Sequence, residues 1–184
     1  IKTRKGTDVF FQASALLTHT GRPVRPLIHA QLPWEAARHV IGAGASLPAD
    51  VEWRHETVPP PGLYHLGRVA VQPSKLEGLG LTLVEAMAAG APLITTDAPP
   101  MNEFVMPETG WLVPVKEWRA REDPIIFQEA HGAPEDLARA MVEALSTPPE
   151  VLAAKREVTA ARVREIFDWK VFKASLAEGL GKIM

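Results

Sequence analysis

The stretch that most constrains this chain is "VAVQPSKLEGLGLTLVEAMAAGAPLITT", residues 69–96. It opens on a short β-branched run, "VAVQ" (69–72), of the kind buried in a parallel sheet. A loop with glycines at 78 and 80 follows. Good helix formers then run from about Leu81 to Ala89, with Gly90 just past the helix end. A second apolar run, Leu93 to Thr96, closes the unit. Strand, loop, helix and strand in this order close by a right-handed crossover. The helix N-terminus then lies at the carboxyl edge of the sheet, where open α/β folds bind ligands. The expected class is therefore α/β.

The remaining segments fit that class. Asp8 to Leu17 carries Val9, Phe10, Ala13, Leu16 and Leu17 at helical spacing, and Gly21 marks its end. "PVRPLIHAQ" (23–31) reads as a strand, Trp34 to Ile41 as a helix after Pro33, and "GAGASLPAD" (42–50) as a loop. "VEWRHETV" (51–58) alternates like a strand and stops at Pro59 to Pro61; Leu63 to Leu66 reads as one helical turn. "WLVPV" (111–115) supplies a further strand, and Trp118 to Pro134, polar and irregular, reads as a loop. Helices follow over Pro134 to Leu145, Val151 to Phe167 and Lys170 to Leu180. The first of these opens on Glu135 and Asp136, which suit the positive end of its dipole.

Composition narrows the partners. With 184 residues, 46% of them hydrophobic, the chain is long enough to bury one core as a single domain. A net charge of −2 offers no broad basic field, so nucleic acid is not an expected partner. Cysteine is absent, which removes disulfides and thiolate zinc sites and agrees with a cytoplasmic setting. No apolar run approaches the roughly 18 residues of a membrane span, so no transmembrane segment is expected. The six histidines have no metal-ligand spacing; only His65 lies near the sites that matter, and no metal is expected. The five tryptophans read as core or interface anchors. Beginning at Ile1 on "IKTRKG", the chain reads as cut from something longer.

The loop itself points to a ligand. A helix from Leu81 turns its first N–H groups, near Leu79 to Thr82, toward the loop, and Gly78 and Gly80 let backbone come close to a guest such as phosphate. Glu85 lies one turn in, and helical side chains lean toward the N-terminus, so its carboxylate reaches the same edge and can accept from two vicinal hydroxyls. Glu77, across the turn, faces a second hydroxylated group. The spacing suits a diphosphate with a polyol at each end. On spacing alone, however, the plainer reading is that Glu77 is a solvated loop residue and Glu85 an early-turn acid favoured by the dipole. By the same measure Lys5 reads as a surface lysine and Lys75 as exposed rather than touching phosphate.

The run "PSKLEGLGLTLVEAMAAGAPLITTDAPPMNEF" (73–104) resembles the nucleotide-sugar signature of the family-4 retaining glycosyltransferases, which have the two-domain GT-B fold. Weaker likeness extends to "RKGTD" (4–8), "LYHLGRVAVQ" (63–72), "TGWLVPV" (109–115) and "FDW" (167–169). The resemblance implies a Rossmann-like parallel sheet flanked by helices, the C-terminal, donor-binding half of a GT-B fold, with extra C-terminal helices. Residues 1–184 would then be one nucleotide-sugar-binding domain, without the N-terminal acceptor domain and without its own first strand. It implies that Glu77 contacts the donor sugar as the catalytic carboxylate and that Glu85 binds the ribose. The backbone of Gly78, Leu79, Gly80 and Leu81 would hold the diphosphate, neutralised by Lys5. Further candidates are Ser74, Arg4 in place of an upstream arginine, and Glu103, although the preceding "DAPPMN" (97–102) lacks the glycines usual in the family. His55 to Val58 would lie near the base. The implied partners are a nucleotide-diphosphate sugar, as substrate rather than cofactor, and the acceptor domain of the same enzyme. Two alternatives remain: a GT-B nucleotide-sugar epimerase, for which Glu77 has no obvious basic partner, and a non-catalytic nucleotide-sugar-binding domain.

Overall fold

The computed structural model describes residues 4–21, 24–42, 46–121 and 126–181. Helix α1 (Thr7–His19) is followed by β1 (Leu27–His29), α2 (Trp34–Ile41) and β2 (Glu52–Arg54). β1 and β2 pair in parallel with Leu27 opposite Glu52, and α2 meets them through an edge-on contact of Trp34 with Trp53, ring centres 5.2 Å apart. A 3-10 turn (Tyr64–Leu66) leads to β3 (Ala70–Gln72), α3 (Leu81–Ala88), β4 (Leu93–Thr96) and β5 (Gly110–Val113). These three strands lie in the order β3, β4, β5, all parallel, with Ala70 opposite Leu93 and Leu93 opposite Gly110. A hairpin of β6 (Val115–Ala120) and β7 (Gln128–Gly132) precedes α4 (Pro134–Ser146), α5 (Pro149–Phe167) and α6 (Trp169–Gly181).

The core explains why the strands are apolar throughout. Successive side chains point to opposite faces of a sheet, and β4 is buried at all four positions. Leu93 joins Leu83, Ala86 and Met87 of α3 and Val163 of α5. Ile94 joins Val9, Ala13 and Leu17 of α1 and Leu137, Met141 and Ala144 of α4. Helices therefore cover both faces, as a parallel sheet requires. Among the described residues no helix is long and apolar enough to cross a membrane.

Three features depart from the sequence reading. The parallel strands form two separate ladders, β1–β2 and β3–β4–β5, rather than one continuous sheet among the described residues. The strand expected at 111–115 is divided at Pro114, whose missing N–H cannot continue a ladder. The loop expected over Trp118 to Pro134 is largely the β6–β7 hairpin and the start of α4, residues 122–125 lying outside the described set. Its alternation was concealed because the ribbon is largely exposed: Ala130 is buried, but Trp118 opposite it is 51% exposed, and the next pair is Arg119 with Glu129.

Candidate functional site

The loop from Pro73 to Gly80 leaves the C-terminal end of β3 and enters α3. Pro73, Ser74 and Lys75 are buried, Glu77 is 8% exposed, and Gly78 and Leu79 are open to solvent. Gly80 adopts the left-handed region at φ 62°, packs against Leu83 and Phe104, and leaves α3 without a side-chain cap. Leu79 and Leu81, 76% and 64% exposed, flank it, so the helix start is not plugged by packed side chains.

Lys5 and Glu77, 72 positions apart, are brought together: Lys5 Nζ donates to Glu77 Oε1 at 2.6 Å. The Glu77 side chain is 5% exposed and that of Lys5 44%, so the lysine reaches the acid from the solvent side. Glu77 is thus not the solvated loop residue that spacing alone suggests. Gly6 makes the approach feasible. It holds φ 69°, and a Cβ there would stand 1.9 Å from the Pro73 carbonyl oxygen, so the segment before α1 runs directly against the loop. The Lys75 N–H donates to the Arg4 carbonyl at 2.7 Å in the same joint.

Several polar atoms here are buried without a hydrogen-bond partner: Arg4 Nε, Ser74 Oγ and Thr82 Oγ1, together with Asp8 Oδ1. Buried polar groups are ordinarily paired. These lie on the segment before α1, on the loop and in the first turns of α1 and α3, all at the carboxyl end of β3.

Glu85, partly buried in α3, lies near Tyr64 of the 3-10 turn, whose hydroxyl accepts from Gln72 Nε2 at 2.8 Å. Burial, with the Glu85 carboxylate second, pushes the Tyr64 phenol up to about 12, against the smaller pull of Gln72. A raised folded value means that the fold favours the protonated phenol. The corresponding stability is fully present below the ordinary value of 10.0 and is lost as pH rises through about 12. Tyr64 is the sole tyrosine, so tyrosinate absorbance reports this one group. Its midpoint is expected near 12, with Glu85→Gln moving it down; a midpoint at the ordinary value would show that Tyr64 is not buried as described, and no change on Glu85→Gln would place it away from Glu85.

Other candidates are not bonded into this joint among the described residues. Glu103 is the exposed last residue of a 3-10 turn (Met101–Glu103) after β4 whose first residue, Met101, is buried in the core, and its side chain enters none of the described hydrogen bonds or ion pairs with the loop. His55 and Glu56 are exposed past β2, with the Glu56 carbonyl 2.7 Å from His29 Nε2. His65 is exposed within the 3-10 turn, and no histidine–carboxylate group fit for a metal ion occurs among the described residues.

Lys75 corrects the sequence reading outright. It is 3% exposed, and its Nζ donates to Asp8 Oδ2 at 2.7 Å. Nothing in the spacing marks it, because the partner lies 67 positions away. His131 of β7 feels the charge of the same lysine. Its Nε2 is 3.3 Å from Glu129 Oε2 without forming a well-aligned hydrogen bond. Burial first, then the Lys75 and Arg119 charges, hold its pKa below the ordinary histidine value.

The glycosyl transferases group 1 family model matches residues 1–147. A lipopolysaccharide core biosynthesis mannosyltransferase, LpsB of Rhizobium meliloti (strain 1021), is 29% identical over 135 residues, covering 67% of this chain and 37% of that protein. The alpha-D-kanosaminyltransferase of Streptomyces kanamyceticus is 28% identical over 165 residues, covering 88% of this chain and 41% of that protein. The chain thus spans about two fifths of the length of the curated relatives it matches. Among solved structures, the pneumococcal O-GlcNAc transferase GtfA, in complex with UDP and GlcNAc, superposes with a TM-score of 0.65 at 20% identity, over 98% of this chain and 34% of that one. With parallel strands flanked by helices in the manner of GT-B glycosyltransferases, and with a family match over most of its length, the chain belongs to the group 1 glycosyl transferases.

Proposed function

We propose that this chain is the donor-binding domain of a retaining glycosyltransferase. A nucleoside diphosphate sugar would lie across the start of α3, its diphosphate against the backbone of Gly78 to Leu81 and the cations Lys5 and Arg4. Glu85 accepts from the ribose hydroxyls and Glu77 from the transferred sugar. The observation that carries the reading is the Lys5–Glu77 pair beside an open, uncapped helix start, ringed by the unpartnered polar atoms of Arg4, Ser74 and Thr82. A diphosphate supplies acceptors for such donors and competes for Lys5, leaving the Glu77 carboxylate to the sugar. As the glycosidic bond breaks, charge builds on the departing diphosphate, and fixed cations and oriented amides at that point stabilise the transition state. The complex of GtfA with UDP and GlcNAc supports a uridine nucleotide as the first donor class to try.

Acceptor binding falls to another domain of the same enzyme, and this chain alone should bind donor while turning over little. Nucleoside diphosphate sugars, screened as uridine, guanosine and adenosine forms, are expected to raise its melting temperature, and Glu85→Ala to abolish the rise. A flat response to all three would count against the reading.

The same ion pair favours a second reading. Lys5 supplies the basic partner for Glu77 that a nucleotide-sugar epimerase needs, and that the loop sequence alone lacks. Incubation of the full-length enzyme with donor in the absence of acceptor tests this reading: an isomerised nucleotide sugar signals epimerisation, and a donor that is not isomerised rules it out.

A further inference from the structure

Lysine is seldom buried unless paired, yet Lys75 lies 3% exposed two residues before Glu77. Every polar group it carries is tied to a different element. Its Nζ donates to Asp8 Oδ2 in the first turn of α1 at 2.7 Å. Its N–H donates to the Arg4 carbonyl at 2.7 Å, and its carbonyl accepts from the Ala130 N–H of β7 at 2.8 Å. Lys5, one residue past Arg4, is the partner of Glu77. The Lys5–Glu77 contact therefore spans the joint that Lys75 closes. A buried ion pair adds little stability over apolar side chains of similar size, so stability alone does not account for an ionic lock here.

We propose that Lys75, held by Asp8, is a positioning residue that sets the register between the Lys5 segment and the loop, so that the Glu77 carboxylate meets the donor sugar. This rests on the donor-site reading above. Glu85 and the amides at the start of α3 lie beyond Gly78, on an element that Lys75 does not touch. Loss of the lock therefore falls most heavily on the sugar end of the donor, because the nucleotide end keeps Glu85, the α3 amides and the Arg4 segment, whose carbonyl still accepts from the residue 75 N–H.

The test uses the full-length protein and calorimetric titration with UDP, GDP and ADP and with their glucose or mannose conjugates. Lys75→Met is expected to weaken the nucleotide sugar about tenfold or more while free nucleoside diphosphate changes less than about threefold. Lys75→Arg should restore most of the loss. The double variant Lys75→Met/Asp8→Leu, which leaves no unpaired acid, should reproduce the selective loss with a melting temperature near that of the parent. Equal loss of both ligands, or loss of neither, overturns the proposal. Amide exchange without ligand gives an independent reading: residues 76 and 77 should exchange about tenfold faster in Lys75→Met while α3 keeps its protection. Unchanged exchange also overturns it. A parent protein that binds none of these nucleotides instead refutes the donor-site reading, and the exchange comparison then decides the role of Lys75 by itself.

Discussion

In the full-length enzyme, Glu77→Gln is expected to slow sugar transfer by about 100-fold or more, the scale seen when one preorganised electrostatic contact is removed from a transition state. The amide nearly matches the carboxylate in volume, so the packing of this 8%-exposed side chain survives. What is lost is the negative charge that holds Lys5 at 2.6 Å and that would face positive charge developing on the sugar. Lys5, with a side chain 44% exposed, finds water instead, so stability should fall by no more than about 1 kcal/mol. The signature is a fall in kcat with free nucleoside diphosphate bound nearly as before. Steady-state rates close to those of the parent would remove Glu77 from the chemistry.

The second large effect is structural. Gly6→Ala should lower stability by about 3 kcal/mol, because an L-residue is strained at φ 69° and its methyl would meet the Pro73 carbonyl oxygen at 1.9 Å, a backbone atom that cannot swing aside. In a chain of this size that corresponds to a fall of roughly 10 °C in melting temperature. Gly78→Ala is the control. Nothing lies within 4 Å of a Cβ at Gly78, and its φ is not in the left-handed region, so the change should cost less than about 1 kcal/mol. Thermal unfolding of the two variants makes the comparison. If Gly6→Ala melts with Gly78→Ala, the segment carrying Lys5 does not run against the loop as described.

Much of the fold could be read along the chain, for a physical reason. The unit from β3 to β4 is built from local signals: a β-branched run, glycines at the loop and a glycine beyond the helix. It appears as Ala70–Gln72, Leu81–Ala88 and Leu93–Thr96, with Gly90 at φ 69° where the helix ends. The hairpin was missed because its strands bury almost nothing, and alternation reports burial rather than pairing. Trp111 and Trp169 illustrate the same limit. The first donates to Glu143 and lies beneath Lys155, while the second stacks on Phe172 and is 63% exposed, a difference that composition cannot carry. At the site, glycine spacing singled out Glu77 and Glu85, but the lysine pairs are contacts over 67 and 72 positions. A lysine that will be buried looks the same in a sequence as one that will not. Tyr64 and Gln72 escaped for a related reason, since their bond joins the turn before β3 to the strand itself.

The division of the parallel strands into two ladders bears on how the molecule comes apart. Among the described residues from 24 to 58, only Ala37 and Val51 are buried, whereas the β3–β4–β5 block is packed on both faces. With no backbone hydrogen bonds joining the two ladders among the described residues, the β1–β2 segment can melt as a low-energy subglobal unit while the larger block persists. Unfolding would then lose its all-or-none character, and a single equilibrium constant would describe only the second of two steps.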